Sequence, residues 1–299
     1  MTERSYLDDR NDSPQSGRIG TATGSDAQRF ARTSVLHLVL VLASLTFALP
    51  FLWLVLTSLK TLDDVGLPNW LPKNLDFQWK NYPEVFKVIE FGRFYWNSIF
   101  VASWVTFLQV FTSSLAAFSF SRLQWRGRDR VFMLYLGTMM LPGLVMMIPN
   151  YQIMIKLGLV DSYVGLILPA AFSAFGTFLL RQFMLTIPTS LDEAAEIDGA
   201  SKWQVFWNVI LPLCRPGLIT LTIFTFIGNY RSFFWPLVML KTVKKYTLPV
   251  GILFFDSTRG QTTHLLMAAV TMSILPMIVL FVLLQKYLVK GIQLGGVKG

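Results

Sequence analysis

Charge is scarce in this chain and cysteine nearly absent. Charged residues make up 14% of its 299 positions, against about 25% in ordinary soluble domains. Hydrophobic residues make up 53%, and the mean hydropathy is +0.51. That balance excludes an ordinary soluble enzyme and places the chain in the membrane class, with the bilayer standing where a large core would be. The single cysteine, Cys214, rules out an intrachain disulfide framework. Two histidines, His37 and His264, sit far apart at the edges of apolar segments and offer no metal-ligand spacing. No phosphate-binding loop, dinucleotide fingerprint or nucleophile elbow occurs. With no nucleophile–base set to assemble, a membrane enzyme is disfavoured, and neither a catalytic nor a metal site is expected.

What the chain does have is apolar length and basic loops. The run "VLHLVLVLASLTFALPFLWLVLTSL" at 35–59 is long enough to cross about 30 Å of hydrocarbon. It is too long, and starts too late, for a signal-peptide core. Five further spans are expected at about 94–120, 131–150, 163–182, 216–240 and 264–288, giving an all-α membrane protein of six helices. Residues 1–34 are polar and expected to be disordered. The apolar six-helix body runs 35–290, and 291–299 forms a tail. Net charge is +9, but no basic stripe suggests nucleic acid. Arg122, Arg126, Arg128 and Arg130 cluster after the second span, five arginines lie in the N-terminal tail, and Lys286, Lys290 and Lys298 lie near the end. With an even number of spans these regions share one side, which the positive-inside rule makes cytoplasmic. The loops at 60–93 and 241–262 then face outward.

One segment runs against the composition. "LDEAAEIDGASKWQVFWNVILP" at 191–212 gathers Asp192, Glu193, Glu196 and Asp198, although the whole chain has 17 acids. Ser190 with Glu193 has capping-box spacing, so a short helix is expected from Leu191, ending at Gly199. Ser201 with Gln204 repeats the spacing and starts a second helix. On it Trp203, Phe206, Trp207 and Ile210 share one face, and Pro212 closes it. The plain alternative is an interfacial helix pair with merely solvated acids. Interfacial membrane helices, however, normally carry Lys and Arg on the polar face, and acids facing an anionic leaflet need a cover. A partner protein is the simplest one.

At this point the residues resemble a known family. "EAAEIDGASKWQVFWNVILPLCRP" (193–216) is similar to the EAA loop of permease subunits of ATP-binding-cassette importers, in its carbohydrate, maltose-type branch. The likeness extends through "SLK" (58–60), "NS" (97–98), "MLPGLVMMIP" (140–149), "LGLVDSYVGLILP" (157–169), "FLLRQF" (178–183) and "GGVKG" (295–299). It implies the type I importer permease fold in a bacterial or archaeal cytoplasmic membrane, with both termini inside. It implies a second, similar permease chain, two ATPase subunits that bind the ATP and Mg, and an extracytoplasmic binding protein. Loop 189–212 would then be the coupling elbow, with Glu193, Ala194, Ala195, Asp198 and Gly199 touching an ATPase. The tail Gly295, Gly296, Val297, Lys298 and Gly299 would be a second contact.

For the transport path, Arg231 lies about fifteen residues into the fifth span, about 22 Å deep, where a charge faces a cavity or snorkels. The family stretch resembles W-N-x-F followed by W-P; here it reads "NYRSFFWP" (229–236), with Tyr230 and Arg231 in place of W-N. Asn229, Tyr230, Arg231 and Gln109 are the path candidates. A guanidinium suits carboxylate or phosphate, so an acidic saccharide stands beside the default neutral oligosaccharide. The alternatives are a secondary transporter, or a permease for a solute such as a sugar phosphate or glycerophosphodiester.

Overall fold

The computed structural model describes the backbone of residues 23–259 and 262–296, and the side chains of 32–253 and 262–285. Among them every regular element is helical: α1 (Thr23–Ser58), α2 (Asn81–Val88), α3 (Phe91–Arg122), α4 (Arg128–Gly137), α5 (Met147–Lys156), α6 (Tyr163–Ala170) and α7 (Ala174–Leu185). There follow α8 (Ser190–Ile197), α9 (Lys202–Leu213), α10 (Arg215–Tyr230), α11 (Phe234–Met239), α12 (Leu248–Arg259) and α13 (Thr263–Gly296). In lipid a spanning helix satisfies its own backbone, which is why an apolar chain of this kind resolves into helices.

The chain divides into two units, Met1–Leu52 and Trp53–Gly299. In the first, α1 begins at Thr23, twelve residues before the expected start at Val35, so the polar tail is shorter than the sequence suggested. The stretch "DAQRFAR" (26–32) is made of residues with adequate helix propensity, and a helix already nucleated downstream extends through them at little cost. Residues 1–22 lie outside the described residues.

In the second unit α3 is the central element, packed against α7 and α10. The α3–α7 contact uses small residues: Ser113, Ser114 and Ala117 are buried, and Gly176 of α7 sits against Ser113. Between helices in lipid, such close approach replaces the hydrophobic drive that water would supply.

The six-span expectation meets a more broken chain. Three helices are long and apolar enough to cross a membrane alone: Arg32–Ser58, Phe91–Arg122 and Thr263–Gln285. Two bent pairs, α6 with α7 (43°) and α9 with α10 (76°), raise the number to five if each counts once. The expected span 131–150 is not one helix. It is divided among α4, a 3₁₀ turn at Thr138–Met140 and the start of α5, because Pro142 and Gly143 favour a turn over helix continuation. Likewise 216–240 breaks at Arg231–Phe233, between α10 and α11. The expected loop 241–262 holds a helix, α12, whose Leu248 and Val250 are buried.

Polar side chains on the helices hold the connecting loops. Asn97 of α3 donates to the carbonyls of Lys244 (3.0 Å) and Tyr246 (2.9 Å), and Ser98 Oγ accepts from the Leu248 amide at 2.7 Å. At the end of α1, Asn81 donates to the carbonyls of Ser58 and Lys60, and the buried Lys60 ammonium donates to the Asn69 carbonyl. The short motifs "NS" and "SLK" are thus anchors for the segments that follow α11 and α1.

Candidate functional site

The acidic segment folds as two short helices joined by a turn. In α8 (Ser190–Ile197) the expected Ser190 cap does not form. The helix starts at Ser190 itself, with Thr189 at the N-cap and no side-chain cap bond, so the Ser190 hydroxyl sits inside the first turn. At the other end Gly199 has φ +87. Its amide bonds Glu196 O at 3.0 Å and the Ala200 amide bonds Ala195 O at 2.9 Å, the paired bonds of a glycine-terminated helix. A side chain at that φ would cost about 1–2 kcal/mol. The Ser201–Gln204 capping box is formed, with Ser201 N donating to Gln204 Oε1 at 2.7 Å, worth about 1 kcal/mol. The second helix differs from expectation in its register: Val205–Ile210 is a π turn, and the helix runs past Pro212 to Leu213. Proline gives no amide to the carbonyl one α-turn back, and a wider turn accommodates the gap. Phe206 and Ile210 are buried as expected, while Trp203 and Trp207 are exposed.

Of the expected coupling residues, Glu193, Ala194, Asp198 and Gly199 are exposed together on this elbow, and Ala195 is half-buried against the core around Phe206. Beside them Ile197 is 86% exposed. Its large aliphatic side chain stands out between Glu196 and Asp198. Composition could have pointed to it, since Ile197 is the one large apolar residue between Leu191 and Trp203.

Asp192 is different from its neighbours. Its Oδ2 lies 3.2 Å from Arg122 Nη1, and the two side chains are 14% and 5% exposed. Burial pushes the Asp192 carboxyl above its ordinary range, with Arg122 opposing and Glu196 adding. Among the other acids, Glu196 pairs with Lys202 across the elbow, at the surface.

A cavity of about 600 Å³ opens among α3, α5, α6, α10 and α11. Phe233, Phe234 and Trp235 supply aromatic faces, and Asn150, Asn229 and Ser232 supply hydrogen-bonding groups. Trp235 is held by its indole N–H, which donates to Gly165 O at 3.2 Å. Of the four expected path residues only Asn229 lines this cavity. Tyr230 is buried with its hydroxyl donating to Ser273 O at 3.0 Å, and with Arg231 it borders a separate recess of about 230 Å³ against α12 and α13. Gln109 is half-buried on α3 and borders neither. Val297, Lys298 and Gly299 lie outside the described residues, and Gly295 and Gly296 end α13.

Asp161, which the sequence gave no reason to single out, joins two loops beside the cavity. In a left-handed conformation (φ 57), it accepts from the amides of Lys241 (2.9 Å) and Thr242 (3.0 Å), from Thr242 Oγ1 (2.7 Å) and from Lys245 Nζ (2.9 Å). The Thr242 amide, then those of the other donors, hold its carboxyl well below the usual range. Because the folded pKa is depressed, this staple's contribution is complete above the ordinary carboxylate range and is lost only as pH falls through the lowered value. Asp161→Asn is therefore expected to loosen the 240–247 segment at neutral pH, read as several-fold faster proteolysis there. Cleavage of the unsubstituted protein should not change between pH 8 and 5.

Residues 109–294 match the family described as the binding-protein-dependent transport system inner membrane component. The arabinooligosaccharides transport system permease protein AraQ of Bacillus subtilis (strain 168) is 33% identical over 269 residues, 88% of this chain and 95% of that protein. The sn-glycerol-3-phosphate transport system permease protein UgpE of Yersinia pestis is 36% identical over 204 residues, 68% and 73%. Among solved structures, the crystal structure of a bacterial ABC transporter involved in the import of the acidic polysaccharide alginate contains a chain that superposes with a TM-score of 0.75 at 26% identity, covering 92% of this chain and all of that one. With the helical path, the elbow and the cavity in place, these likenesses show that the chain belongs to the family of inner membrane permease components of binding-protein-dependent transport systems.

Proposed function

We propose that this chain is a carbohydrate-importing permease subunit that forms half of a transmembrane path and is driven by ATP hydrolysis in a separate chain. The observation that carries the reading is the elbow. Four exposed residues of the acidic motif (Glu193, Ala194, Asp198, Gly199) and the exposed Ile197 form one small surface, the kind a partner covers. On this reading the elbow faces the cytoplasm and docks on an ATPase that holds the ATP and Mg, and both termini lie inside. A second permease chain completes the path, and an extracytoplasmic binding protein delivers cargo to the outer loops. The broken segment 128–156 counts as the sixth crossing.

The cavity supports a saccharide. Aromatic faces with a few convergent amide and hydroxyl groups suit a polyhydroxylated ring, apolar on its faces and hydrogen-bonding at its rim. The relative AraQ is named for the transport of arabinooligosaccharides. Among the described residues no charged side chain lines the cavity, which favours a neutral oligosaccharide. An acidic saccharide is the second reading, favoured by the likeness to the alginate importer and by Arg231, which has no ion-pair partner among the described residues.

The test is purification of the tagged chain from its own membrane, then reconstitution. A second permease and an ATPase are expected to co-elute, and uptake of sugar delivered by the binding protein should require ATP hydrolysis. Uptake driven by an ion gradient without ATP would overturn the reading. Arg231→Gln separates the two cargo classes: unchanged uptake is expected for a neutral sugar, and at least about tenfold loss for an acidic one whose carboxylate it meets.

A further inference from the structure

Arg122 was notable in the sequence only as one of four arginines that orient the chain. In the structure it is the last residue of α3, with a side chain 5% exposed, and it joins three elements. Its Nη1 faces Asp192 of α8 at 3.2 Å. Its Nη2 donates to the carbonyls of Met184 (2.6 Å), in the last turn of α7, and Ile187 (2.7 Å), just beyond it. The guanidinium thus caps the end of α7 while gripping the first turn of the elbow.

Stability alone does not account for such a pair. A buried ion pair is about as stable as, or less stable than, an apolar pair of the same volume. This one is also incompletely bonded: Arg122 Nε and Asp192 Oδ1 are buried and without partners among the described residues. Both residues border a polar recess of about 230 Å³ that also receives Glu193, Glu196 and Lys202. An arrangement that adds little stability but fixes direction is suited to positioning.

What it positions follows from α3. This helix is 32 residues long, about 48 Å at 1.5 Å per residue. Near its start Ser98, Val101 and Val105 line the large cavity, and at its end Arg122 meets the elbow. Of the elbow's covalent ties, the one through α9 to α10 passes a π turn and a 76° bend. A displacement of α8 along that route is absorbed in part by the bend. Through Arg122 it reaches a single unbroken helix that runs to the cavity.

We propose that the Asp192–Arg122 pair is the linkage that fixes the elbow to α3, so that movement of α8 is carried to the cavity wall through α3 as well as through α10. Asp192 and Arg122 are positioning residues on this proposal, which rests on the reading of the elbow as the ATPase contact. Unlike Glu193, Asp192 faces inward and its partner is in the same chain.

The experiment uses the intact transporter in liposomes, with its own binding protein and Mg-ATP. Two quantities are read for each variant: ATPase subunit retained on purification, and the fold stimulation of ATP hydrolysis by the binding protein. Asp192→Asn is expected to retain the ATPase at the unsubstituted ratio and to lose stimulation by about fivefold or more, the scale of a typical coupling between sites. Asp192→Glu, which keeps the carboxylate, should retain most of it. If Asp192→Asn leaves Arg122 unpaired and the chain fails to accumulate, the neutral pair Arg122→Gln/Asp192→Asn removes the buried charge and should show the same loss of stimulation. Full stimulation in Asp192→Asn or in the neutral pair overturns the proposal. So does loss of the ATPase subunit from Asp192→Asn, which would make Asp192 a direct contact. A Glu193→Lys control that keeps its ATPase and normal ATP-driven uptake would count against the elbow as the ATPase contact, and the Asp192 arm would still read the α3 linkage by itself.

Discussion

Replacing Glu193 by lysine is expected to abolish transport, with uptake reduced at least about 30-fold, while the chain still inserts and accumulates. The separation of the two effects follows from where Glu193 lies. It is exposed in the first turn of α8 and has no ion-pair partner among the described residues. A surface substitution of that kind usually changes stability by no more than about 0.5 kcal/mol. A cation near a helix N-terminus adds an unfavourable dipole interaction of about 0.3–1 kcal/mol. Neither amount unfolds a membrane protein. At a docked interface the same change is of another size: losing a paired charge and leaving its partner uncompensated costs about 2–5 kcal/mol, and reversing the sign adds repulsion. The ATPase should therefore be lost from the purified complex, or retained with hydrolysis no longer tied to uptake. Normal ATP-driven uptake in Glu193→Lys would remove the coupling assignment, and Asp198→Lys on the same surface should behave alike if the assignment holds.

The parts of the fold that could be read in advance are those whose cause is local. The apolar runs of α1, α3 and α13 announce themselves by length, and the Ser201–Gln204 cap by spacing. Ser190–Glu193 has the same spacing without the bond, since the chain enters α8 one residue earlier than the pattern assumed. The segment 131–150 was apolar enough to pass as a span, but Pro142 and Gly143 decided its path. The helix α12 was hidden in an expected loop because "LPVGILFF" (248–255) is too short and too uniformly apolar to reveal a period.

Long-range pairs were beyond reach in principle. Asp161 meets donors about eighty residues onward, and Asp192 meets Arg122 seventy residues back. No spacing rule connects such positions. Arg231 shows the related limit of helix arithmetic. Rise per residue gives depth, but each step also turns the side chain by about 100°, so the one or two steps from Asn229 carry Tyr230 and Arg231 away from the cavity wall to another recess. The cavity's aromatic set, Phe233 to Trp235, lay inside the segment singled out for departing from its family pattern. Their value became visible only when the break after α10 turned them toward Asn150.

The same cavity depends on a residue that cannot be enlarged. Gly165 lies buried in the first turn of α6, its amide donating to Ser162 Oγ at 3.1 Å and its carbonyl accepting from Trp235. A Cβ on Gly165 would overlap the Leu159 carbonyl oxygen and Met239 Cε. Met239 can swing aside, since a thioether chain is adaptable. Leu159 cannot. Its carbonyl belongs to a tight turn with Gly158 at φ +68 and Asp161 at φ 57, and the Asp161 bonds pin that turn to residues 241–245. Gly165→Ala is expected to cost about 1–3 kcal/mol, the usual range for overpacking. It should appear as a lowered Tm of the detergent-solubilised protein with transport reduced but present. Gly165→Leu should force α6 off the turn, release the Trp235 indole and leave little folded protein in the membrane. The decisive variant is Gly165→Ala with Met239→Ala. Met239→Ala empties a buried site at about 2–5 kcal/mol of its own, so rescue is read against Met239→Ala alone; removing the thioether relieves one of the two overlaps, and on that scale rescue should be partial. Complete rescue would mean that Met239, and not the pinned backbone of Leu159, is what requires glycine there.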